Sequence, residues 1–492
     1  MTQPMRYKFL PFRFDRLNGK VLLVNEVGRY HLLSEVHFDQ FIKRRLAVEN
    51  SILHDLISKG FAYTDNISHT IDVLATQYRT KNQFLYDFTS LHMLVVTKRC
   101  NQRCRYCHAF SSATNCSNDE DMSRQVAMKC VDIAFQSPTP ALKIEFQGGE
   151  PLLNFDVIKL VVQYAEELNA KYNKVVEFVV CTNLSGLEAH HIDFFESHKN
   201  IFISTSLDGP KDIHDSFRKM NNGNGSYDIV KRNILQLKEV LGINRLSALM
   251  TVTPNNIDCL ERVVDEYLEC EFNSIFIRKL NPFGKAKQNK SELFYSTEKF
   301  VGSYKEVLEY ILNINKEGVY FSEQFAEILL SRMLTPFSTG FVDLQSPTGG
   351  GISGVIYDTN GDAYISDEAR MYHQTTGEKK FCIGNVTNNS WQEIFGNPYL
   401  RDIISNTCLE VYPGCSWCVF KPYCGADPVR NHFLYKDIVG NRSNNDFCLK
   451  HKEIFKILFQ YIEGSDDLVR DIFWSWLTHR SLDEINNLSG DC

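Results

Sequence analysis

Three cysteines stand close together in the stretch TKRCNQRCRYCHAF, directly after the apolar run LHMLVV. Cys100, Cys104 and Cys107 have the spacing C-x3-C-x2-C. A loop of this kind can place three thiolates on three irons of a four-iron cluster, which leaves the fourth iron open to bind another molecule. His108 could add a fourth ligand, so a small zinc site is the alternative interpretation of the same residues.

A second cysteine group lies in the C-terminal part of the chain, in PGCSWCVFKPYCGADPVRN followed by DFC. It consists of Cys415, Cys418, Cys424 and Cys448. Four thiolates can fill a closed metal site, with either iron–sulfur or zinc. Such a site can carry electrons, or it can serve only to stabilise the fold.

The second predicted strand ends in KIEFQGGEPLLN. Gly148 and Gly149 allow a close approach of the backbone, and Glu150 is a carboxylate able to receive an ammonium group. An ordinary turn before a helix that begins with Pro151 explains the same residues without a ligand.

Composition and length limit the partners and the cellular location that can be expected for a protein with these motifs. The chain has 492 residues, a hydrophobic share of 43% and a formal net charge of -7, so neither nucleic acid nor an anionic membrane is expected as a partner. The N-terminus lacks the pattern of a signal peptide, and no apolar run reaches the roughly 18 residues of a membrane span, so a cytoplasmic location is expected. Fifteen cysteines in such a chain indicate metal ligands rather than a disulfide framework.

Four segments are predicted to position the motifs. Residues 1–82 combine strand-like and helical stretches, and predict a small αβ module. In residues 88–335 short apolar strands alternate with amphipathic helices, which predicts an α/β fold with a parallel sheet or partial (β/α)6 barrel and chemistry at the carboxyl ends of its strands. Residues 340–460 are rich in Gly, Pro, Asn and Cys, as expected of a metal-organised domain, and residues 466–492 predict an amphipathic helical tail.

The two N-terminal motifs, in this order, resemble those of the radical S-adenosylmethionine (radical SAM) enzymes. In that superfamily the C-x3-C-x2-C loop follows the first barrel strand, Gly-Gly-Glu-Pro follows the second, and an aromatic residue, here Tyr106, usually precedes the third cysteine. The resemblance implies a [4Fe-4S] cluster whose open iron is chelated by S-adenosylmethionine. It also implies cleavage of that molecule to methionine and a 5′-deoxyadenosyl radical, which takes a hydrogen atom from a substrate while the protein positions it and excludes water.

The stretch STSLDGPKDIHDSFRKMNNGNGSYDIV resembles the fourth-strand region of the peptide- and protein-modifying branch of this superfamily. The resemblance implies that Ser206 lies near the ribose and Arg218 near the carboxylate of S-adenosylmethionine. Asn183 and Arg278 also match and are expected cofactor or substrate contacts, although Arg278 can equally be a structural ion-pair partner. Asp208 is the candidate catalytic acid or base, but Asp-Gly-Pro is also a good turn.

The C-terminal cysteines resemble the SPASM extension of radical SAM enzymes that mature peptides, which ordinarily holds two auxiliary four-iron clusters. This chain departs from the pattern. Ser366 stands where the extension usually has a cysteine, and Pro428, preceded by Asp427, stands at the expected Cys-x3-Cys partner of Cys424. We therefore expect one auxiliary [4Fe-4S] cluster, on the four cysteines of the second group. Cys382 and Cys408 are further candidates as ligands or radical-quenching thiols, with packing as the alternative.

The N-terminal segment looks like the winged-helix-like element with which many maturases of ribosomally made peptides recognise a leader peptide, by adding a strand to a sheet edge. The whole-chain pattern, with ISDEARM and CGADPV, is most similar to the radical maturase of the His-Xaa-Ser peptide system. The resemblance implies a precursor peptide as substrate, a second radical SAM maturase as partner, and an electron donor such as flavodoxin or ferredoxin. The alternatives are a sulfatase-maturase-like serine or cysteine oxidase, a non-catalytic electron-transfer protein, and a zinc-organised interaction module.

Overall fold

The N-terminal part of the chain forms a small αβ module. The computed structural model describes residues 7–489, apart from residues 48, 65, 110, 115–119, 442–444 and 465. The elements of the module are β1 (Lys8–Phe9), β2 (Phe12–Leu17), β3 (Lys20–Asn25), β4 (Tyr30–Ser34), α1 (Glu35–Ile42), α2 (Ser51–Ser58), β5 (Ala62–Tyr63), α3 (Ile67–Lys81) and α4 (Phe84–Asp87). Strands β2, β3 and β4 pair in an antiparallel sheet, and β1 pairs with β5. Val21 and Leu23 on one face of β3 pack against Phe41 and Leu53 of the helices.

Parallel strands and helices alternate from residue 91 to residue 334. The strands are β6 (Leu91–Thr97), β7 (Arg99–Cys100), β8 (Ser112–Ala113), β9 (Ala141–Gly148), β10 (Val175–Cys181), β11 (Ile201–Ser206), β12 (Leu246–Val252), β13 (Ser274–Lys279) and β14 (Ser322–Glu323). The helices are α5 (Arg124–Phe135), α6 (Phe155–Tyr172), α7 (Ala189–Ser197), α8 (Lys211–Phe217), α9 (Tyr227–Leu241), α10 (Leu260–Glu269), α11 (Lys285–Gln288), α12 (Lys290–Leu293), α13 (Thr297–Lys316) and α14 (Gln324–Leu334). The parallel order β6, β9, β10, β11, β12, β13 confirms the predicted α/β fold.

The C-terminal region continues the same sheet. Its elements are β15 (Gly354–Tyr357), β16 (Asp362–Tyr364), α15 (Asp367–Thr376), β17 (Cys382–Asn385), α16 (Trp391–Phe395), α17 (Pro398–Ser405), α18 (Pro428–Tyr435), α19 (Asp446–Glu463), α20 (Asp467–Thr478) and α21 (Leu482–Ser489). Strand β15 pairs in parallel with β6, and β16 and β17 follow in antiparallel order. The composition of the chain changes near residue 340, where a domain boundary is expected, but the sheet continues beyond that residue. The predicted tail contains two helices rather than one, because His479 takes the left-handed conformation (φ 52°) after α20.

One hydrophobic core extends through both regions. It includes Leu94 and Val96 of β6, Ile356 of β15 and Phe455 of α19, all of which are buried. A strand buried on both faces has a nearly continuous apolar run, which is the pattern of LHMLVV in β6. Among the described residues, no helix is both long and apolar enough to span a membrane.

Candidate active site

The cysteine loop leaves the carboxyl end of β6 and is fastened by neighbouring loops. The backbone N–H of Arg105 donates to the carbonyl of Phe217 (3.1 Å), and that of Lys285 donates to the carbonyl of Cys107 (2.8 Å). Gly284, which has a φ of +68°, touches the same loop so closely that a Cβ there would clash with the backbone of His108. The loops after β11 and β13 therefore fix the position of the cysteines, and Gly284 is a supporting residue that the motif did not reveal.

The three cysteine thiols border one cavity of about 230 Å³ at the carboxyl end of the sheet. Burial raises the pKa of Cys100 to about 12 and that of Cys104 to about 11, and the neighbouring thiols of the motif contribute to both shifts. Iron must therefore displace protons from these thiols when it binds. Three thiolates on one short loop form a donor set that fits three irons of a [4Fe-4S] cluster. Among the described residues, no three Cys, His, Asp or Glu side chains converge as the ligands of a single metal ion.

The glycine pair lies directly against the cysteine loop. A Cβ at Gly148 would clash with the carbonyl oxygen of Thr97, and a Cβ at Gly149 would clash with that of Arg99. The backbone N–H of Gly149 donates to Thr97 (2.9 Å), and that of Glu150 donates to Arg99 (2.8 Å). Gly148 and Gly149 both line the cavity, and their lack of side chains allows the two motif loops to meet there.

Glu150 is fully buried, and neighbouring residues of the chain donate hydrogen bonds to its carboxylate. The carboxylate accepts hydrogen bonds from the Thr182 hydroxyl (2.6 Å), the Asn183 N–H (2.8 Å) and the Leu152 N–H (3.1 Å). Burial raises its pKa above the ordinary value. Glu150 does not line the cavity, whereas Asn183 does. In this arrangement the carboxylate holds the loop that carries Asn183.

Tyr106, Arg218 and Asp208 form a hydrogen-bonded series. The Tyr106 hydroxyl donates to the Asp208 carboxylate, and Nη1 of Arg218 donates to the same hydroxyl (2.8 Å). Asp208 also accepts from the N–H of Thr251 (3.2 Å), and burial raises its pKa. Tyr106 and Arg218 line the cavity, but Asp208 lies behind them. The contacts of Asp208 therefore fit a positioning residue, which is a role different from the acid or base expected from the sequence.

A buried polar atom at the cavity is available to a ligand. Nε of Arg218 is buried and has no hydrogen-bond partner among the described residues. Ser204 and Ser206, on one face of β11, also line the cavity. A buried polar group without a partner is costly, so the Arg218 atom fits a site that binds a polar molecule such as S-adenosylmethionine.

The C-terminal region supplies one wall of the cavity. Asp367 and Arg370, in the first turn of α15, line it and form an ion pair at 3.0 Å. Arg370 is only 1% exposed. Arg278 lines the cavity too and lies 3.8 Å from Glu368, so it is both a cavity residue and an ion-pair partner. The sequence offered no periodic signal for Asp367 and Arg370, although both stand in the quoted stretch ISDEARM.

The second cysteine group is brought together around the loop before α18. The N–H of Cys418 donates to the carbonyl of Cys415 (3.0 Å), and Cys415 and Cys424 pack on the same small apolar cluster. Burial raises the pKa of Cys418, and Cys448 on α19 is close enough to raise it further. Cys418 thus lies near Cys448, and Cys415 packs on the same cluster as Cys424, while a shared auxiliary site on all four stays a prediction.

The positions that lack a cysteine begin helices instead. The Ser366 hydroxyl accepts from the N–H of Ala369 (3.2 Å) at the start of α15, and the Asp427 carboxylate accepts from the N–H of Arg430 (2.9 Å) at the start of α18. Both residues are N-caps, and Pro428 is the first residue of its helix.

The thiols of Cys382 and Cys408 contact nearby backbone carbonyls. The Cys382 thiol lies 3.3 Å from the carbonyl oxygen of Gly384, and the Cys408 thiol lies 3.7 Å from that of Ile404. Neither residue lines the cavity of the first cysteine group. These contacts are those of partly buried cysteines packed within their own elements.

Comparison with known proteins agrees with this geometry. The family model described as the radical SAM superfamily matches residues 94–267. A cysteine-type anaerobic sulfatase-maturating enzyme of Clostridium novyi (strain NT) is 25% identical over 389 residues, which cover 75% of this chain and 95% of that protein. A serine-type anaerobic sulfatase-maturating enzyme of Bacteroides thetaiotaomicron is 30% identical over 148 residues, or 28% of this chain and 34% of that protein.

Solved structures share the fold. The structure described as native anSMEcpe with bound AdoMet has a TM-score of 0.64 and 20% identity, and the match covers 78% of this chain and 100% of that one. SuiB of Streptococcus suis, bound to the precursor peptide SuiA, has a TM-score of 0.54 and 13% identity, with 90% of this chain and 99% of that one covered. Residues 94–267 therefore match the radical SAM superfamily, whose members use a [4Fe-4S] cluster and S-adenosylmethionine, and the chain has the mixed α/β fold of these solved structures.

Proposed function

We propose that this protein is a radical SAM enzyme that modifies a ribosomally made peptide after translation. The observation that carries the proposal is the single cavity bordered by the three cysteine thiols, the glycine pair and the buried Arg218. Cys100, Cys104 and Cys107 would hold the [4Fe-4S] cluster and leave one iron open for S-adenosylmethionine. When bound, this pair supplies a 5′-deoxyadenosyl radical that removes a hydrogen atom from the substrate.

In this proposal the residues of the chain bind S-adenosylmethionine, orient it and shield the reactive intermediate from water. Arg218 offers to a carboxylate its Nε, which has no partner among the described residues, and Tyr106 and Asp208 fix the direction of its guanidinium group. Ser206 and Asn183 offer polar groups at the same cavity. Helix α15 brings the Asp367–Arg370 pair over the site, which restricts the access of water to a reactive intermediate.

A peptide substrate is supported by relatives and by the N-terminal module. The SuiB structure contains a precursor peptide, and one anSMEcpe structure contains the Cp18Cys peptide. Strands β2 and β4 are the edges of the module's antiparallel sheet, so an extended leader peptide has an edge to pair with. The finer proposal, from the whole-chain resemblance, is a substrate of the His-Xaa-Ser type that is modified on a side chain or at Cα.

We further propose one auxiliary [4Fe-4S] cluster on Cys415, Cys418, Cys424 and Cys448. The proximity of these residues supports it. So do Ser366, an N-cap, and Pro428, the first residue of α18, which stand at positions that would otherwise hold ligands of a second cluster. An auxiliary cluster would pass electrons between the site and a donor such as flavodoxin or ferredoxin. A second radical SAM maturase is the further partner proposed.

A sulfatase-maturase-like oxidase is the second candidate function. It is favoured by a specific observation, because the match to the Clostridium novyi enzyme extends over 95% of that protein rather than over the radical SAM domain alone. In that case the substrate is a serine or cysteine side chain within a protein. Incubation with two synthetic peptides, one with His-Xaa-Ser triplets and one with a sulfatase-type cysteine, separates the candidates through the mass change of each peptide.

The first experiment measures 5′-deoxyadenosine released from S-adenosylmethionine by anaerobically reconstituted, dithionite-reduced protein. The control is the variant Cys100→Ala, Cys104→Ala, Cys107→Ala, which retains the second cysteine group. Release by the wild-type protein alone is the expected result. An iron-loaded wild-type protein that releases none, with or without peptide, would support non-catalytic electron transfer, and zinc in both cysteine groups would support an interaction module.

A further inference from the structure

A second cavity, of about 250 Å³, lies beside the cavity of the first cysteine group. Leu249 on β12 and Arg278 on β13 line both cavities. Leu249 is the register partner of Phe276, and Arg278 lies two residues further along β13, so all three side chains are on one face of the sheet. Helices α18 and α19 form another part of the wall of the second cavity. A molecule bound near the cysteines can therefore extend a side chain past Arg278 into this space.

Three carboxylates line the second cavity close to one another. They belong to Asp343, Glu368 and Asp427. The segment that carries Asp343 lies directly against the loop before α18, because a Cβ at Gly425 would clash with the carbonyl oxygen of Asp343. This contact brings Asp343 next to Asp427, at the start of α18.

The carboxylates of the second cavity act on one another. Enclosure by the protein, and then the charge of Asp427, raise the pKa of Asp343. Burial, and then the charges of Asp343 and Asp367, raise the pKa of Glu368 to about 7. Arg278 opposes both shifts without cancelling them. A cation bound among these groups would stabilise their charged forms.

Two acceptors of the second cavity lack a donor. Oδ1 of Asn281 is buried and has no hydrogen-bond partner in the described part of the chain, whereas the amide nitrogen of the same side chain donates to Glu368 (3.3 Å). The Asp343 side chain is exposed to the cavity, and no described residue forms a hydrogen bond or an ion pair with its carboxylate. A ligand with several N–H groups would satisfy both acceptors.

Most cations of the second cavity already have carboxylate partners. On α19, Asp446 lies 2.6 Å from Arg430 and 3.3 Å from Lys279. Arg278 has the ion pair with a residue of α15 that is described above. These contacts hold the three cations away from Asp343.

Lys450 is the remaining cation that lines the second cavity. Its ammonium group lies over the ring of Phe325, 5.0 Å from the ring centre. Within the described part of the chain, it forms no ion pair with Asp343. The Asp343 carboxylate is therefore open to a cation that comes from outside the chain.

We propose that the second cavity is a subsite that binds a cationic side chain of the peptide substrate, with a guanidinium or ammonium group, beside the residue that is modified. Asp343 and Glu368 supply the negative charge, and Asn281 supplies a further acceptor. The rings of Phe276 and Phe341 line the same cavity and pack on the aliphatic stem of that side chain. The enzyme thus selects peptides that carry a basic residue next to the modified one. This inference rests on the peptide-modifying function proposed above, which it makes more specific.

The binding test uses two small probes of nearly equal shape. N-acetyl-arginine methylamide carries a guanidinium group, and N-acetyl-citrulline methylamide carries a neutral urea group in its place. Isothermal titration calorimetry with the reconstituted protein measures the affinity for each probe. We expect the arginine probe to bind about tenfold more tightly, because citrulline cannot form charged hydrogen bonds with the carboxylates. Equal affinities, or no binding of either probe, would overturn the inference.

The variant Asp343→Asn removes the charge and keeps the shape of the side chain. Its affinities for the two probes should differ by less than about twofold. Asp258→Asn is the matched control, because the Asp258 carboxylate is 70% exposed and pairs with Lys299 (2.8 Å) outside the second cavity. This control should keep the wild-type preference for arginine. A preference that survives Asp343→Asn, or that both variants lose equally, means that the cation binds elsewhere.

Carbodiimide labelling of carboxyl groups, followed by peptide mass mapping, locates the bound probe. The arginine probe should reduce the labelling of Asp343, and the citrulline probe should not. The labelling of Asp258 should be the same with either probe. Labelling of Asp343 that does not change in the presence of the arginine probe would contradict the proposed subsite.

These binding results do not depend on radical chemistry. If the iron-loaded protein releases 5′-deoxyadenosine but does not prefer the arginine probe, the inference fails and the proposed function stands. If the protein prefers the arginine probe but releases no 5′-deoxyadenosine, the proposed function fails, and with it the assignment of this cation site to a substrate.

Discussion

At the residue scale, single hydrogen bonds fix the orientation of the side chains that line the cavity. Tyr106 links the Arg218 guanidinium to the Asp208 carboxylate, and all three side chains are buried. The aromatic residue before the third cysteine therefore does more than fill space, because it aims an arginine into the cavity.

Tyr106→Phe should weaken binding of S-adenosylmethionine by about tenfold, or about 1.4 kcal/mol, the usual effect of losing one hydrogen bond in a buried series. Equilibrium binding to the reconstituted protein measures it. Tyr164→Phe is the control, because the Tyr164 hydroxyl also donates to a carboxylate, that of Asp132 (2.7 Å), away from the cavity. Equal losses in both variants would show that the effect is not specific to the site.

Glu150 leads to a second prediction at this scale. Glu150→Ala removes the acceptor for three donors, of Thr182, Asn183 and Leu152, and should lower the free energy of unfolding of the cluster-free protein by about 2–4 kcal/mol. Glu150→Gln retains one acceptor oxygen and should lose less. Urea denaturation compares the variants. If the Ala variant is as stable as the wild type, the three bonds do not hold the loop.

At the scale of elements, patterns within a short stretch of sequence predicted the strands and the motif loops, but contacts between distant stretches could not be predicted. The cysteine loop follows the nearly continuous apolar run LHMLVV, and the glycine pair follows ALKIEFQ, in which apolar and polar residues alternate. Both patterns predict strands, so the place of the two motifs at one sheet edge could be predicted from the sequence. The sequence did not predict that Thr182 and Asn183 satisfy Glu150, or that Asp367 and Arg370 close the cavity. These contacts join residues far apart in the chain and leave no periodic pattern.

Glu323 gives a prediction for a single element. Its buried carboxylate caps α14 through the N–H of Ala326 (2.6 Å), accepts from the N–H of Ile277 (3.1 Å) and receives the Tyr304 hydroxyl. Burial raises its pKa from 4.5 to about 7. The folded state thus binds the proton more tightly than the unfolded state, and this contribution to stability is present below pH 4.5 and lost as the pH rises to about 7.

Glu323→Gln should remove this part of the pH dependence. Urea denaturation of both proteins at the two ends of that range measures it. We expect the wild-type protein to lose stability on going to the higher pH and the variant to lose less. Parallel curves for the two proteins would mean that another group is responsible.

At the scale of the whole molecule, the N-terminal module is docked on the second cysteine group. Lys421, between Cys418 and Cys424, lies 2.8 Å from Glu26 and 3.4 Å from Glu410, and its side chain is 3% exposed. The Tyr423 hydroxyl donates to the carbonyl of Gly28 (2.7 Å). A leader peptide bound to the N-terminal module would therefore be held by a part of the protein that contacts the proposed auxiliary site.

Lys421→Met should loosen this docking and lower the free energy of unfolding by about 1–3 kcal/mol, because two half-exposed carboxylates lose a buried cation. Limited proteolysis should cleave near the module faster. Lys143→Met, which removes an exposed ion pair with Glu177, should have little effect. Unchanged proteolysis of Lys421→Met would indicate that the ion pairs do not hold the module.

The pairing of β15 with β6 also has a mechanical consequence. The C-terminal region is joined by a ladder of backbone hydrogen bonds to the very strand that ends in the cysteine loop. It cannot swing aside like a hinged lid unless that ladder breaks. In the proposed reaction this side of the cavity would therefore stay rigid, and a substrate would have to enter by rearrangement of loops and side chains.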